Sequence, residues 1–137
     1  MPLVYADASA LVKLVREERE SLALRAFLDG ANLISSELVL AEIPRAIRRA
    51  AAGDPTLELD FMLERAAELI EALALRPLDT DLLLSAGALA ESALRTLDAI
   101  HLASAVHLTP IDAFVTYDER QAAVARLAGL RTISPGL

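Results

Sequence analysis

The sequence contains no cysteine and no tryptophan, and only 4% of its residues are aromatic. Without thiols, thiolate metal sites, CxxC redox chemistry and cysteine nucleophiles are all excluded. Positive charge is also scarce: 13 Lys and Arg stand against 20 Asp and Glu, a formal charge of -7, and Lys13 is the sole lysine. That sign opposes generic affinity for nucleic acid, which works through phosphate neutralisation. The formal value overstates the negative field wherever several acids hold divalent cations, because bound ions invert the local electrostatics. No apolar run approaches the roughly 18 to 20 residues of a membrane span. The start, Met1-Pro2-Leu3-Val4-Tyr5-Ala6-Asp7, lacks the basic opening and apolar stretch of a secretory signal. A soluble cytoplasmic protein with no membrane role is the expectation.

With 55% hydrophobic and 24% charged residues, Gly 5 and Pro 6, the chain is too apolar for disorder and too mixed for a fibre. Its 137 residues lie close to one domain's worth, so a single domain over 1–137 with one core is expected. A domain of that size buries about two thirds of its extended-chain surface and needs no metal clip.

Leu3-Val4-Tyr5-Ala6 reads as a short strand ending at Asp7, and Ser9 opens a helical segment carrying Leu11, Val12, Leu14 and Val15. Glu17 to Leu28 continues in a helical register. Asn32-Leu33-Ile34-Ser35 reads as a buried strand after the Asp29-Gly30 break. Ser36 can cap a helix toward Ala52 with Val39, Ile43 and Ile47 on one face and Pro44 as a possible kink. The pattern from Thr56 to Leu73 predicts a long amphipathic helix, followed by a connection or short strand at Leu75-Arg76-Pro77-Leu78. Asp79 can cap a helix through Leu89, and Arg95 to Val106 supplies another. Phe114-Val115-Thr116 is a buried strand beside Asp118, Glu119 to Leu127 a helix closed by Gly129, and Arg131 to Ser134 an edge strand. Strands alternating with helices predict a three-layer α/β sandwich, its mostly parallel central sheet flanked by helices. In such sheets ligands collect outside the carboxyl ends of the strands.

Four acids fall on four such elements: Asp7 after the first strand, Glu42 and Asp98 in helices among apolar neighbours, and Asp118 after the last strong strand. Taken singly, Asp7 and Asp118 can cap helices, Glu42 can pair with Arg45, and Asp98 can answer a helix dipole. Taken together, partly buried like charges raise one another's proton affinity unless a cation compensates, and a hard ion such as Mg²⁺ or Mn²⁺ suits oxygen ligands. A centre of that kind can activate water against a phosphodiester. Ser9 and Thr116 either cap their local turns or bind outer-shell water, carboxylate or phosphate. Arg95 either pairs with Asp98 or contacts phosphate, His101 reads as a packing histidine rather than a base, and His107 as a helix-end residue.

The segments VYADASALVKL, SELVLAEI, LRTLDAIHLASA and FVTYDERQ, in that order over almost the whole chain, resemble PIN-domain nucleases, especially the VapC-like toxins of toxin-antitoxin pairs. The resemblance implies a parallel α/β domain, an RNA-cleaving centre dependent on Mg²⁺ or Mn²⁺, a homodimer, and inhibition by a separate antitoxin protein that binds DNA, so that DNA is met only indirectly. By matching segment it implies Asp7, Asp98 and Asp118 as metal acids, Glu42 as the helical glutamate acting directly or through water, and Ser9, Thr116 and Arg95 as supporting or substrate-binding neighbours. Glu119 is an extra nearby acid. A phosphoacceptor receiver domain also places acids at strand ends, but its late lysine is missing here. A non-catalytic binding module remains the other reading, and no GxGxxG turn follows the first strand to serve a dinucleotide.

Overall fold

Side chains of the first strand, β1 (Leu3–Ala6), alternate between two faces because successive residues of a strand point oppositely. The computed structural model describes residues Met1–Leu137, and across it that alternation is continued by the neighbouring strands. Val4 sits opposite Leu33 of β2 (Asn32–Ser36) and Ala113 of β4 (Ala113–Val115), and these three join one apolar cluster. The next row, Ile34, Tyr5 and Phe114, joins a cluster on the other face, where the Tyr5 and Phe114 rings stack at 5.4 Å. With β3 (Ala74–Arg76) and β5 (Thr132–Ile133) the sheet is fully parallel in the order β3-β2-β1-β4-β5.

Parallel strands require crossovers, and here the crossovers are helices that cover both faces. α1 (Ala8–Val15), α2 (Ser21–Leu28), α3 (Val39–Gly53) and α4 (Leu59–Ala72) bury Leu11, Leu24, Ile43, Ile47 and Met62 against the first face. On the second, α6 (Thr96–His107) and α7 (Glu119–Leu127) bury Leu102, Ala105, Val124 and Ala125. α5 (Thr80–Gly87) packs Leu82 and Ala86 onto Ile100 and Ala103 of α6. The result is the expected three-layer α/β sandwich, but the single core expected from chain length is divided by the sheet. No helix is long and apolar enough to cross a membrane.

Several boundaries differ from the sequence reading for local reasons. The segment Glu17–Glu20 is not helical: Lys13 reaches Glu18 and Glu20 at 2.6 and 2.9 Å, and the Ser21 hydroxyl donates to the Lys13 carbonyl, folding the chain into a turn before α2. Ser36 ends β2 and accepts from the Leu38 amide, so α3 starts two residues later than a Ser36 cap would set it. Asp54 accepts from the Thr56 amide and hydroxyl, which holds Thr56 in a turn and delays α4 to Leu59. α5 stops at Gly87 instead of Leu89. α3 runs through Pro44 as one helix. Asp79 caps α5 through the Leu82 amide, as expected. Gly129 closes α7 at φ +87, with the Leu130 amide bonded to Ala125 and the Gly129 amide to Arg126; only glycine adopts that φ without strain.

Because the sheet separates the two clusters, volume losses on opposite faces are independent. Ile47→Val and Ile34→Val are each expected to cost about 0.5 to 1.5 kcal/mol, and the double variant their sum within about 0.5 kcal/mol. Urea denaturation of the three variants measures both, and a large coupling would contradict the division into two faces.

Candidate functional site

The strand order reverses at β1, whose neighbours β2 and β4 lead away on opposite sides, so the carboxyl ends of β1 and β4 flank a crevice. Helices antiparallel to the strands start at this same end, and four of them carry the four acids in their first turn or cap. Asp7 is the N-cap of α1 and Asp118 the N-cap of α7. Glu42 lies in the first turn of α3 and Asp98 in that of α6. Helix N-termini present unpaired amides and a partial positive charge, which lowers the cost of gathering carboxylates there.

The four are held differently. Asp7 is 3% exposed and fully engaged: one carboxylate oxygen accepts from the Ser9 hydroxyl at 2.6 Å and the Ala10 amide at 3.3 Å, the other from the Thr116 hydroxyl at 2.5 Å. Burial pushes its carboxyl above the ordinary carboxylate range, and the bonds from Ser9, Thr116 and Ala10 oppose that rise. Thr116 also accepts from the Asp118 amide at 3.1 Å, and Ser9 from the Tyr117 amide at 3.0 Å, so the two hydroxyls tie the end of β1 to the end of β4. Of the two readings of Ser9 and Thr116, binding a carboxylate is the one the structure shows: both donate to Asp7, and Thr116 keeps a local turn bond as well. Asp118 is exposed and gives one oxygen to the Gln121 amide at 3.0 Å.

Asp98 makes no side-chain hydrogen bond to the protein. Burial pushes its carboxyl up, and the charges of Asp118, Asp7 and Glu42 push it further. That mutual effect is the electrostatic signature of four acids sharing one region. No three Asp, Glu or His side chains stand close enough to grip one ion by themselves. Glu42 does not pair with Arg45; its Oε1 lies 2.7 Å from Nε2 of His101. His101 is buried, as a packing histidine should be, yet both its ring nitrogens are bonded, Nδ1 to the Tyr5 hydroxyl at 2.7 Å.

Arg95 is the exposed N-cap residue of α6 and forms no ion pair with Asp98. It lines an open hollow with Asp98, Asp118, Glu119 and Arg120. A second hollow holds Ser9 and Glu42 with Arg45 and Arg49, so arginines flank the acids on two sides. Glu119 lies at the first hollow's rim, exposed and unbonded. His107 stands away from the acids, 3.2 Å from the Ser85 hydroxyl. The sequence reading missed Gln121, wholly buried, whose amide donates to the Asp98 carbonyl at 3.0 Å and joins α7 to α6. It also missed Tyr5 as a polar partner, since only the fold brings the phenol to α6.

A PIN domain family model matches residues 4–127. Ribonuclease VapC47 of Mycobacterium tuberculosis is 36% identical over 140 residues, with 98% of each chain covered. Ribonuclease VapC46 of the same species is 38% identical over 143 residues, covering 98% of this chain and 99% of the relative. Among solved structures, the Mycobacterium tuberculosis toxin VapC20, described as cleaving the sarcin-ricin loop, superposes with a TM-score of 0.72 at 17% identity, over 96% of this chain and 99% of that one. VapBC2 from Rickettsia felis, bound to a DNA fragment from its promoter, gives 0.69 at 11% identity, over 97% and 98%. Those two likenesses speak for the fold, whereas the family model and the closer relatives decide membership: this chain belongs to the PIN-domain family, among its VapC-like ribonucleases.

Proposed function

We propose that this protein is a divalent-metal-dependent endoribonuclease that hydrolyses RNA phosphodiester bonds with water, and that it acts as the toxin of a toxin-antitoxin pair. The observation that carries the metal dependence is Asp98: a half-buried carboxylate without a hydrogen bond, raised by burial and, beyond that, by the charges of three other acids. The four acids offer only oxygen ligands, of the hard type that Mg²⁺ and Mn²⁺ accept while keeping several waters. Mg²⁺ dehydrates reluctantly and is bound by only one or two protein carboxylates, so the ion would be held in part through its waters. Asp7, Asp98 and Asp118 would hold it, with Glu42 joining through water.

When bound, such an ion supplies charge neutralisation and a water made acidic enough to attack phosphorus. The residues supply geometry. Ser9 and Thr116 lock Asp7 in one orientation, and the Gln121 amide fixes one oxygen of Asp118. Asp98 keeps both oxygens free of the protein. Arg95 and Arg120 on one side, with Arg45 and Arg49 on the other, give a phosphate backbone local attraction in a protein of net negative charge. In the reaction a bond forms between water oxygen and phosphorus, the bond to the 3′ oxygen breaks, and that oxygen takes a proton. The products carry a 5′-phosphate and a 3′-hydroxyl. The relatives named as ribonucleases support RNA as substrate, and membership among VapC-like chains implies a protein antitoxin, through which DNA would be met. A homodimer in the cytoplasm completes this reading.

The deciding assay is purified protein on total RNA, with metal removed and restored and the new ends mapped; no metal-dependent ends would refute the proposal. A substrate lacking only the scissile 2′-hydroxyl should still be cut, because water and not the ribose attacks. Loss of cleavage with binding preserved would overturn that assignment. Asp98→Asn is expected to lower metal-dependent cleavage by at least about a hundredfold, more than loss of an outer-shell partner costs. The same change should stabilise the metal-free protein. Since the folded-state carboxyl is raised, its ionised form opposes folding, a cost absent below the ordinary carboxylate range and growing as pH rises through it. Thermal melts in chelator should therefore show a gain at neutral pH that disappears in acid. Arg95→Ala should weaken RNA binding and flatten the salt dependence by about 0.7 in log-log slope, the single-strand value for one phosphate contact, without altering the metal requirement.

A further inference from the structure

Tyr5, His101 and Glu42 form an unbroken line of hydrogen bonds from the second core to the acidic crevice, through residues that lie far apart in the chain. The phenol and the imidazole are 0% and 1% exposed, and the rings meet edge to face at 5.9 Å. Glu42 is the only member to reach the surface, its side chain 19% exposed at the hollow that also holds Ser9.

The direction of this line follows from donor accounting. The Tyr5 hydroxyl is wholly buried, and a buried O–H proton needs an acceptor. Ser35 donates to the Ala6 carbonyl at 2.6 Å and Ser104 to the Ile100 carbonyl at 2.7 Å, so neither serine keeps a proton to offer the phenol oxygen. The phenol's hydrogen-bond partner is Nδ1 of His101. An imidazole that accepts at Nδ1 carries its proton at Nε2, and Nε2 faces Oε1 of Glu42. Every polar atom in the line is then satisfied. The reverse arrangement would set an imidazole lone pair 2.7 Å from the Glu42 carboxylate oxygen, two acceptors facing each other.

We propose that His101 and Tyr5 are positioning residues for Glu42: Tyr5 selects the Nε2-protonated tautomer of His101, which holds Oε1 of Glu42 and leaves Oε2 as the oxygen offered to the crevice. The need for such a clamp is electrostatic. Glu42 and Asp98 repel each other, and a glutamate with three free torsions would otherwise turn away from the other acids. The clamp acts through Glu42 and touches neither ion nor substrate. It rests on the metal-nuclease reading, although the tautomer belongs to the metal-free chain.

The experiment uses the full-length protein. With only two histidines present, two-bond ¹⁵N–¹H correlation spectra of the metal-free protein resolve both imidazoles, and His107→Gln assigns them. His101 should show a protonated Nε2 and a bare Nδ1; an Nδ1-protonated ring or an imidazolium at neutral pH would overturn the proposal without any core substitution. Tyr5→Phe removes one hydroxyl and should weaken Mg²⁺ binding, read by calorimetry without RNA, by about tenfold, the usual scale for an outer-shell partner. The cleavage rate at saturating Mg²⁺ should fall far less than the affinity. Glu42→Gln separates the two levels of inference. If it weakens Mg²⁺ binding while Tyr5→Phe leaves affinity within twofold, the clamp is refuted and the metal site stands. If Glu42→Gln also leaves Mg²⁺ binding unchanged, Glu42 has no part in an ion site, and the clamp fails with that part of the metal reading.

Discussion

Like charges crowded at one end of a parallel sheet are the constraint around which this molecule is built. Asp7, Glu42, Asp98 and Asp118 each begin a helix, so four helix N-termini offset part of their repulsion. Hydroxyls, amides and one imidazole offset more. What remains is visible at Asp98, whose carboxyl is raised first by burial and then by the charges of its neighbours, and whose side chain bonds to none of them. Carboxylates gathered in this way favour any positive group that approaches them.

The sheet distributes the supporting groups. Because β1 alternates, Val4 and Ala6 anchor the face covered by α1 to α4, while Leu3 and Tyr5 face the opposite cluster, where α6 carries His101. Asp7 follows immediately at the strand's carboxyl end. One stretch of four residues thus contributes to both hydrophobic layers, to the first acid and to the support of a second acid on another helix. Thr116 and Ser9 perform the matching task across the sheet, joining β1 to β4 through the Asp7 carboxylate. Gln121 extends the same logic by fastening the first turn of α6 to α7. The candidate site and the scaffold therefore share residues, and substitutions of polar groups at this end bear on both together.

The elements themselves were largely legible in the sequence. Short apolar runs at Leu3–Ala6 and Asn32–Ser36, helical periodicity over Val39–Gly53, and caps at Asp79 and Gly129 are local signals, set by propensity and spacing within a few residues. The acids were recognisable as candidates because carboxylates at strand ends, or among apolar helical neighbours, are costly unless they have a purpose. The boundaries that moved did so where a side chain competed with the helix for backbone groups, as Ser21 does after α1 and Asp54 before α4.

The amino-acid pattern by itself determined an alternating α/β chain with four acids at element boundaries, since periodicity and capping operate over distances shorter than one helix. Only the tertiary structure decided that Glu42 answers to His101 instead of Arg45, that His101 is oriented by Tyr5, and that Ser9 and Thr116 share Asp7. Those partners are separated by stretches as long as 107 and 109 residues. Hydrogen bonds have angstrom range, and nothing in the order of residues specifies which distant donors will come within it until the strands have paired in register.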